Sequence, residues 1–169
     1  VFIVMLINYQ EVKMPNKKLK TFLDENMVKY VTINHSKAYT AQEIVASLHI
    51  KGKKFAKTVM LNVDGQMAMA VLPASYRVNL LKLRDTLHAE DIELAEEQNF
   101  KDIFPGCEIG AMPPFGNLYN LPVYVAASLV ADEDIYFNAG THTELVKMRY
   151  NDYETLVEPE VVRFSYKPN

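Results

Sequence analysis

An α+β fold around a mixed or mainly antiparallel sheet is what the chain's pattern predicts, and three observations carry it. Two β-type runs flank Asp64-Gly65, a pair that tolerates the positive φ values of a type I′ hairpin turn. Segments with helical spacing are interspersed among the other β-type runs. No Gly-x-Gly-x-x-Gly follows a strand, so the doubly wound parallel sheet lacks its main signature.

The elements follow in order. Leu19, Phe22 and Leu23 have helical spacing, with Asn26 as a stop. Val28 to Ile33 is β-branched and aromatic, hence a strand. Thr40-Ala41-Gln42-Glu43 is a capping box that opens a helix with Ala41, Ile44, Val45 and Leu48 on its apolar face. The hairpin spans Phe55–Val63 and Gln66–Leu72 and ends at Pro73. Asn79 caps a helix through Leu80, Leu81 and Leu83, and Ile92 to Leu94 reads as a short strand. A helix is expected around Phe100, Ile103 and Phe104, stopped by Pro105-Gly106. Strands are expected over Leu121 to Ala126, Ile135 to Asn138 and Glu144 to Met148. Asn151 with Glu154 repeats the capping pattern for a last helix that ends at Glu158-Pro159.

Composition bounds the class. A chain of 169 residues, 49% hydrophobic and 23% charged, has the length of one domain and the balance of an ordinary soluble protein. Cys107 stands alone, which excludes an internal disulfide and a cysteine-based zinc site and fits a reducing compartment. The apolar stretch Val1 to Ile7 is too short to span a bilayer and lacks the flanks of a signal peptide, so the expected location is cytoplasmic, away from membranes. The four histidines lie far apart without a His-Glu-x-x-His pattern, and neither a P-loop nor a Gly-x-Ser-x-Gly elbow occurs. No cofactor or metal is expected.

Charge is divided unevenly. Net charge is −3, yet residues 1–60 hold ten lysines against four acids, while residues 85–160 hold three basic residues against sixteen acids. Lys17, Lys18 and Lys20 form one basic cluster and Lys51, Lys53, Lys54 and Lys57 another. Such lysines are either solvated surface or one face laid against a phosphate backbone.

Lys57 breaks its strand's pattern. Alternation puts Phe55, Lys57, Val59, Leu61 and Val63 on one face, apolar except for the ammonium. The lysine must snorkel to water, pair, or line a cavity, because burying it unpaired is costly. Two irregular segments remain: Gly110-Ala111-Met112-Pro113-Pro114-Phe115-Gly116-Asn117, stiffened by Pro-Pro, and the polar link Asn138-Ala139-Gly140-Thr141-His142-Thr143. Both are either plain surface turns or loops presenting amides to a ligand.

Four ordered segments resemble the YbaK-like aminoacyl-tRNA deacylase family, whose fold also occurs as an editing insertion in bacterial prolyl-tRNA synthetases. They are His35-Ser36-Lys37-Ala38-Tyr39-Thr40-Ala41-Gln42-Glu43, Ala56-Lys57-Thr58-Val59, the Gly110–Gly116 segment and Asn138–Thr143. The resemblance covers about residues 16–158, so 14–169 reads as one such domain and 1–13 as an N-terminal extension. It implies a mixed, barrel-like β-sheet with surrounding helices. It also implies that Lys57 is the functional lysine, that Gly110 to Pro114 is a Gly-x-x-x-Pro loop, and that Gly140, Thr141 and His142 face them. His35 and Tyr39 join Pro114 and that facing loop as substrate-binding residues, with Lys51, Lys53 and Lys54 toward tRNA. The cysteine-specific branch is glycine-rich with basic residues where this chain has Asn-Ala-Gly-Thr-His-Thr, so this version is closer to alanine-type or uncharacterised branches.

The implied reaction is hydrolysis of the ester of a mischarged aminoacyl-tRNA carrying a small amino acid of the alanine, serine or cysteine type. An activated ester needs a positioned water and a stabilised oxyanion, and one aimed N–H, here at Gly110, contributes about 3–4 kcal/mol of barrier lowering. Lys57 would hold the terminal phosphate or the ester carbonyl. The implied partners are the aminoacyl-tRNA acceptor end and prolyl-tRNA synthetase. The alternative is a non-catalytic relative that binds tRNA ends or a synthetase without turnover.

Overall fold

The computed structural model describes residues 15–37, 40–131 and 133–169. The expected extension over residues 1–13 and the substrate-binding role of Tyr39 lie outside these residues.

Helix α1 (Pro15–Glu25) buries Leu19 and Leu23, as the spacing predicts. Strand β1 (Tyr30–Asn34) leads to helix α2 (Ala41–Leu48). The Thr40 Oγ1 accepts from the Glu43 N–H at 3.1 Å, and Ile44 anchors that helix in the interior. A 3₁₀ turn over Gly52–Lys54 then feeds β2 (Ala56–Val63), which turns at Asp64-Gly65 into β3 (Gln66–Pro73). Both turn residues have positive φ, 49° and 81°, as the predicted turn requires. The Asp64 carboxylate does a second job: it accepts from the Glu90 and Asp91 N–H groups at 2.9 and 2.8 Å and so fixes the entry to β5 (Ile92–Leu94).

Between them lie the two-residue strand β4 (Arg77–Val78) and helix α3 (Leu80–Leu87), whose Asn79 cap accepts from Lys82 N–H at 3.0 Å. The helix expected around Phe100, Ile103 and Phe104 is shorter and begins earlier, as α4 (Glu97–Phe100). Phe104 is nonetheless buried from the turns that follow. Strand β6 (Val123–Ala126) runs into the one-turn helix α5 (Ala127–Val130), then β7 (Asp134–Asn138) and β8 (Glu144–Arg149). Helix α6 (Tyr150–Val157) starts before Asn151 and has no side-chain cap. Its Tyr150 and Tyr153 are buried, so packing sets its start where capping chemistry points a residue later. Strands β9 (Glu160–Val162) and β10 (Ser165–Tyr166) finish the chain.

The strands form three sheets, in orders β5-β2-β3-β6-β9, β1-β8-β7 and β10-β4. The first is mixed: β5, β2 and β3 are antiparallel neighbours, whereas β3–β6 and β6–β9 are parallel. The fold is therefore α+β with a mixed sheet. A closed barrel is not formed among the described strands; the first two sheets meet at a single parallel bridge, Phe55 with Tyr136.

Three apolar clusters hold these layers together. The largest gathers Leu19, Phe115, Phe137, Val146 and Tyr153. Leu61, Leu72, Leu83 and Phe164 make the second, and Ile44, Phe55, Ala74 and Leu145 the third. Strand β2 lies between them. Ala56 and Met60 enter the first cluster, while Val59, Leu61 and Val63 serve the second, which matches the alternation that isolated Lys57.

Candidate functional site

Lys57 sits near the start of β2, opposite Leu72 of β3, and is half-buried. Its Nζ donates to the Ala74 carbonyl at 3.2 Å. Burial, and after it the charge of Arg77, lowers its affinity for a proton below that of an ordinary lysine. It is the one charge on that face of the strand, as expected.

The glycine-proline loop meets β2 through the next residue. Thr58 Oγ1, on the opposite face of the strand, donates to the Met112 carbonyl at 3.1 Å. Sequence reasoning brought Lys57 to the loop and passed over Thr58. A hydroxyl beside a conspicuous lysine was the available signal.

The same loop is stitched to the β7–β8 connection. Gly140 N–H donates to the Ala111 carbonyl and Glu108 N–H to the Gly140 carbonyl, both at 2.9 Å. His142 N–H donates to the Glu108 carboxylate at 2.8 Å, and its ring Nε2 lies 2.9 Å from the Ile109 carbonyl. Because a carbonyl only accepts, Nε2 carries a proton. His142 is buried and clasps two loops together; Thr141 is half-exposed, with Oγ1 3.3 Å from Thr143 Oγ1. Pro114 is buried as well, and its carbonyl accepts from the Tyr153 hydroxyl at 2.8 Å. The loop is buried from Ala111 to Gly116 and exposed at Gly110.

Gly110 has φ +85°, a conformation that favours glycine. Its N–H points at the Met112 sulfur, 3.2 Å away. Thioether sulfur is a weak acceptor, so this donor is easily claimed by a stronger one.

Strand β7 meets the segment before β2 at the isolated parallel bridge between Phe55 and Tyr136 and runs on two residues to Asn138. Asn138 pairs with Leu145, and Leu145 with Ile33, so Ile33, Leu145 and Asn138 form one row across three strands. Asn138 is only 8% exposed, and its Oδ1 is buried without a hydrogen-bond partner. The sequence offered it merely as the first residue of a polar link.

His35 lies two residues beyond Ile33, where its N–H donates to the Thr143 carbonyl at 2.9 Å. Its Nδ1 is 2.7 Å from the Ser36 carbonyl, so that nitrogen donates. The ring Nε2 is also buried without a partner.

Lys51 and Lys53 are exposed and Lys54 half-buried on the 3₁₀ turn before β2. A Cβ at Gly52 would meet the Ser75 side chain at 3.3 Å, so the turn packs closely on the residue after Ala74. Among the described residues no group of three or more His, Cys, Asp or Glu side chains could hold a metal ion. Burial pushes the Cys107 thiol up to about 11, against the opposing effects of Tyr119 and Lys18, so it is a poor nucleophile at neutral pH. No helix among the described residues is long and apolar enough to cross a membrane.

The chain matches the aminoacyl-tRNA editing domain family over residues 35–156. It is 30% identical over 153 residues to the proline–tRNA ligase of Leuconostoc citreum, a match that covers 83% of this chain and 26% of the ligase. Against the ligase of Lysinibacillus sphaericus it is 31% identical over 96 residues, covering 57% and 16%. The chain thus spans about a quarter or less of the length of these relatives. In fold it is similar to the hypothetical protein APE2540, at TM-score 0.79 and 17% identity, covering 88% of this chain and 99% of that one. A crystal structure described as a candidate trans-editing enzyme for prolyl tRNA synthetase superposes at TM-score 0.76 and 17% identity, covering 90% and 97%. With a family match from His35 to Leu156 that takes in Lys57, both loops and their clasp, the chain belongs to the YbaK-like aminoacyl-tRNA editing domain family.

Proposed function

We propose that this protein hydrolyses the ester of a mischarged aminoacyl-tRNA carrying a small amino acid of the alanine, serine or cysteine type, acting in trans. One observation carries the reading: Thr58, next to Lys57 on β2, bonds the Gly110–Met112 segment, which is bonded in turn to Gly140, so three separate stretches of chain are joined. Among the described residues these stretches carry an ammonium with a single carbonyl partner, an amide N–H held by sulfur, and a buried acceptor without a donor.

These groups suit a reaction that makes an oxyanion and has no need of a protein nucleophile. Gly110 N–H leaves its weak sulfur acceptor for the oxygen that gains charge, an interaction stronger in the transition state than in the ground state. Lys57 orients the ester through its carbonyl or the neighbouring phosphate. Pro114, tied down by Tyr153, and the His142 clasp with Gly140 and Thr141 keep the amide in place. His35 takes the far end of the bound group. Lys51, Lys53 and Lys54 face the acceptor end of the tRNA, and prolyl-tRNA synthetase is the partner whose errors such an activity removes. A synthetase pocket rejects a smaller amino acid by only about 1–3 kcal/mol per missing methylene, which is why a second site is useful.

Lys57→Ala tests the reading. The variant is expected to melt near the wild-type temperature while single-turnover deacylation of alanyl-, seryl- and cysteinyl-tRNA falls by about 100-fold or more, a loss of proximity and orientation. Lys57→Arg is not expected to restore the rate, because the planar guanidinium is larger and differently directed. Full activity in Lys57→Ala would move the site elsewhere. Undiminished tRNA binding by a wild type that turns nothing over would mark a binding relative instead.

A further inference from the structure

Strand β1 is an open edge of its sheet: among the described residues it pairs on one side only, with β8. His35 N–H bonds the Thr143 carbonyl at 2.9 Å, and bonded pairs alternate in an antiparallel ladder, so Ile33 and Val31 also turn their main-chain groups toward β8. Tyr30, Thr32 and Asn34 therefore point theirs away from the sheet. Val31 is 57% exposed. The strand, Tyr-Val-Thr-Ile-Asn, holds neither a charge nor a proline, the usual guards of a free edge. Beside it an open groove of about 670 Å³ is lined by Lys20 and Asp24 of α1 and by Val28, Lys29, Tyr30 and Thr32. Two contacts fix the helix against the strand. The Tyr30 hydroxyl donates to the Asp24 carboxylate at 3.0 Å, and Lys20 pairs with Glu144, which lies opposite Asn34 in the register. Asp24 thus stands at the Tyr30 end of the edge and Lys20 at the Asn34 end.

We propose that this edge docks on the β1 edge of a second copy of the chain, antiparallel, about a two-fold axis at Thr32. Tyr30 then pairs with Asn34 of the other copy and the two Thr32 residues pair with each other. These are the residues whose main-chain groups face outward, so each pair exchanges hydrogen bonds. Val31 comes opposite Ile33 of the other copy, a cross-strand pair of β-branched side chains that covers the exposed valine. The charges match in the same register. Reversing the strand brings the Tyr30 end of one copy to the Asn34 end of the other, so Asp24 of each faces Lys20 of the other. A parallel alignment would set Asp24 against Asp24 and Lys20 against Lys20. A foreign strand would find the same main-chain groups, whereas a second copy brings both members of the charge pair by symmetry. The contact is isologous and closes, and the two three-stranded sheets become one continuous sheet. The inference goes beyond the proposed reaction and does not depend on it.

Sedimentation equilibrium of the full chain over micromolar concentrations tests the contact without relying on turnover. Wild type is expected to pass from monomer to dimer as concentration rises, with no larger species, because the contact closes. Thr32→Pro removes an outward donor and leaves the bonds to β8 in place. It should raise the dimer dissociation constant about tenfold or more, with circular dichroism unchanged. Asp24→Lys sets like charges across the axis and should weaken the dimer about tenfold, more at low salt than at high, while Asp24→Glu should preserve it. Wild type that stays monomeric throughout would overturn the proposal. So would a dimer indifferent to both Thr32→Pro and Asp24→Lys, which would put the contact on another face. A monomeric wild type that dimerises once residues 1–13 are removed would also overturn it and give the edge to the chain's own N-terminal segment.

Discussion

Asn138 Oδ1 and His35 Nε2 are each buried without a hydrogen-bond partner among the described residues. Leaving such a group unpaired costs roughly 1–3 kcal/mol, so its retention fits a ligand better than a stability role. Asn138→Ala is accordingly expected to hold or slightly raise the melting temperature while lowering single-turnover deacylation about tenfold or more. A large drop in melting temperature, with activity per folded molecule intact, would assign the side chain to the scaffold. Lys57 was legible at this scale because alternation exposes a single charge among apolar residues. Thr58 and Asn138 were not: Thr58 meets Met112 across 54 residues of sequence, and the burial of Asn138 Oδ1 follows from packing.

Helix α6 illustrates how elements serve the site. Tyr153 is fully buried and packs edge-on against Phe115, with ring centroids 5.3 Å apart, while its hydroxyl reaches the Pro114 carbonyl. One side chain thereby anchors both the aromatic core and the exit of the glycine-proline loop. Tyr153→Phe should keep the packing and lose the hydrogen bond, costing about 1–2 kcal/mol in denaturant unfolding. A smaller loss in stability than in deacylation rate is expected, since the loop positions the Gly110 amide. No change in either would show that water satisfies Pro114 equally well. Most helices and strands could be placed from caps, turn residues and periodicity. The short strands β4, β9 and β10 could not, because two or three residues carry no period, and the start of α6 follows tertiary burial.

Across the whole molecule, the charge asymmetry of the sequence becomes a surface. Lys51, Lys53 and Lys54 stand at the end of β2 that carries Lys57, beside the turn leading to Arg77. Neutralising Lys53 and Lys54 together, as Lys53→Gln and Lys54→Gln, should weaken binding of all tRNAs alike and flatten its salt dependence by about two in slope. Normal binding in that double variant, with binding lost on changing the acidic half, would put the docking face on the other side. The lysines near the N-terminus of α1 behave differently. Lys20 pairs with Glu144, and Lys18 lies over the Tyr119 ring at 4.5 Å while donating to the Leu118 carbonyl, so that cluster is tied to the protein itself.

By itself the sequence determined the α+β class, the Asp64-Gly65 hairpin, the capped helices and the oddity of Lys57. All of these are local consequences of side-chain alternation, turn conformation and unsatisfied amides. The residues quoted for the family resemblance could be read there too, as four separated segments. Only the tertiary structure decided which residues meet. It set the parallel β3–β6 and β6–β9 pairings and left the two larger sheets joined by one bridge at Phe55. It also showed that Thr58 reaches the Gly110–Pro114 loop and that the Lys57 ammonium reaches the Ala74 carbonyl. Strand order and register between distant segments depend on which apolar faces can be buried together, and no local pattern encodes that choice.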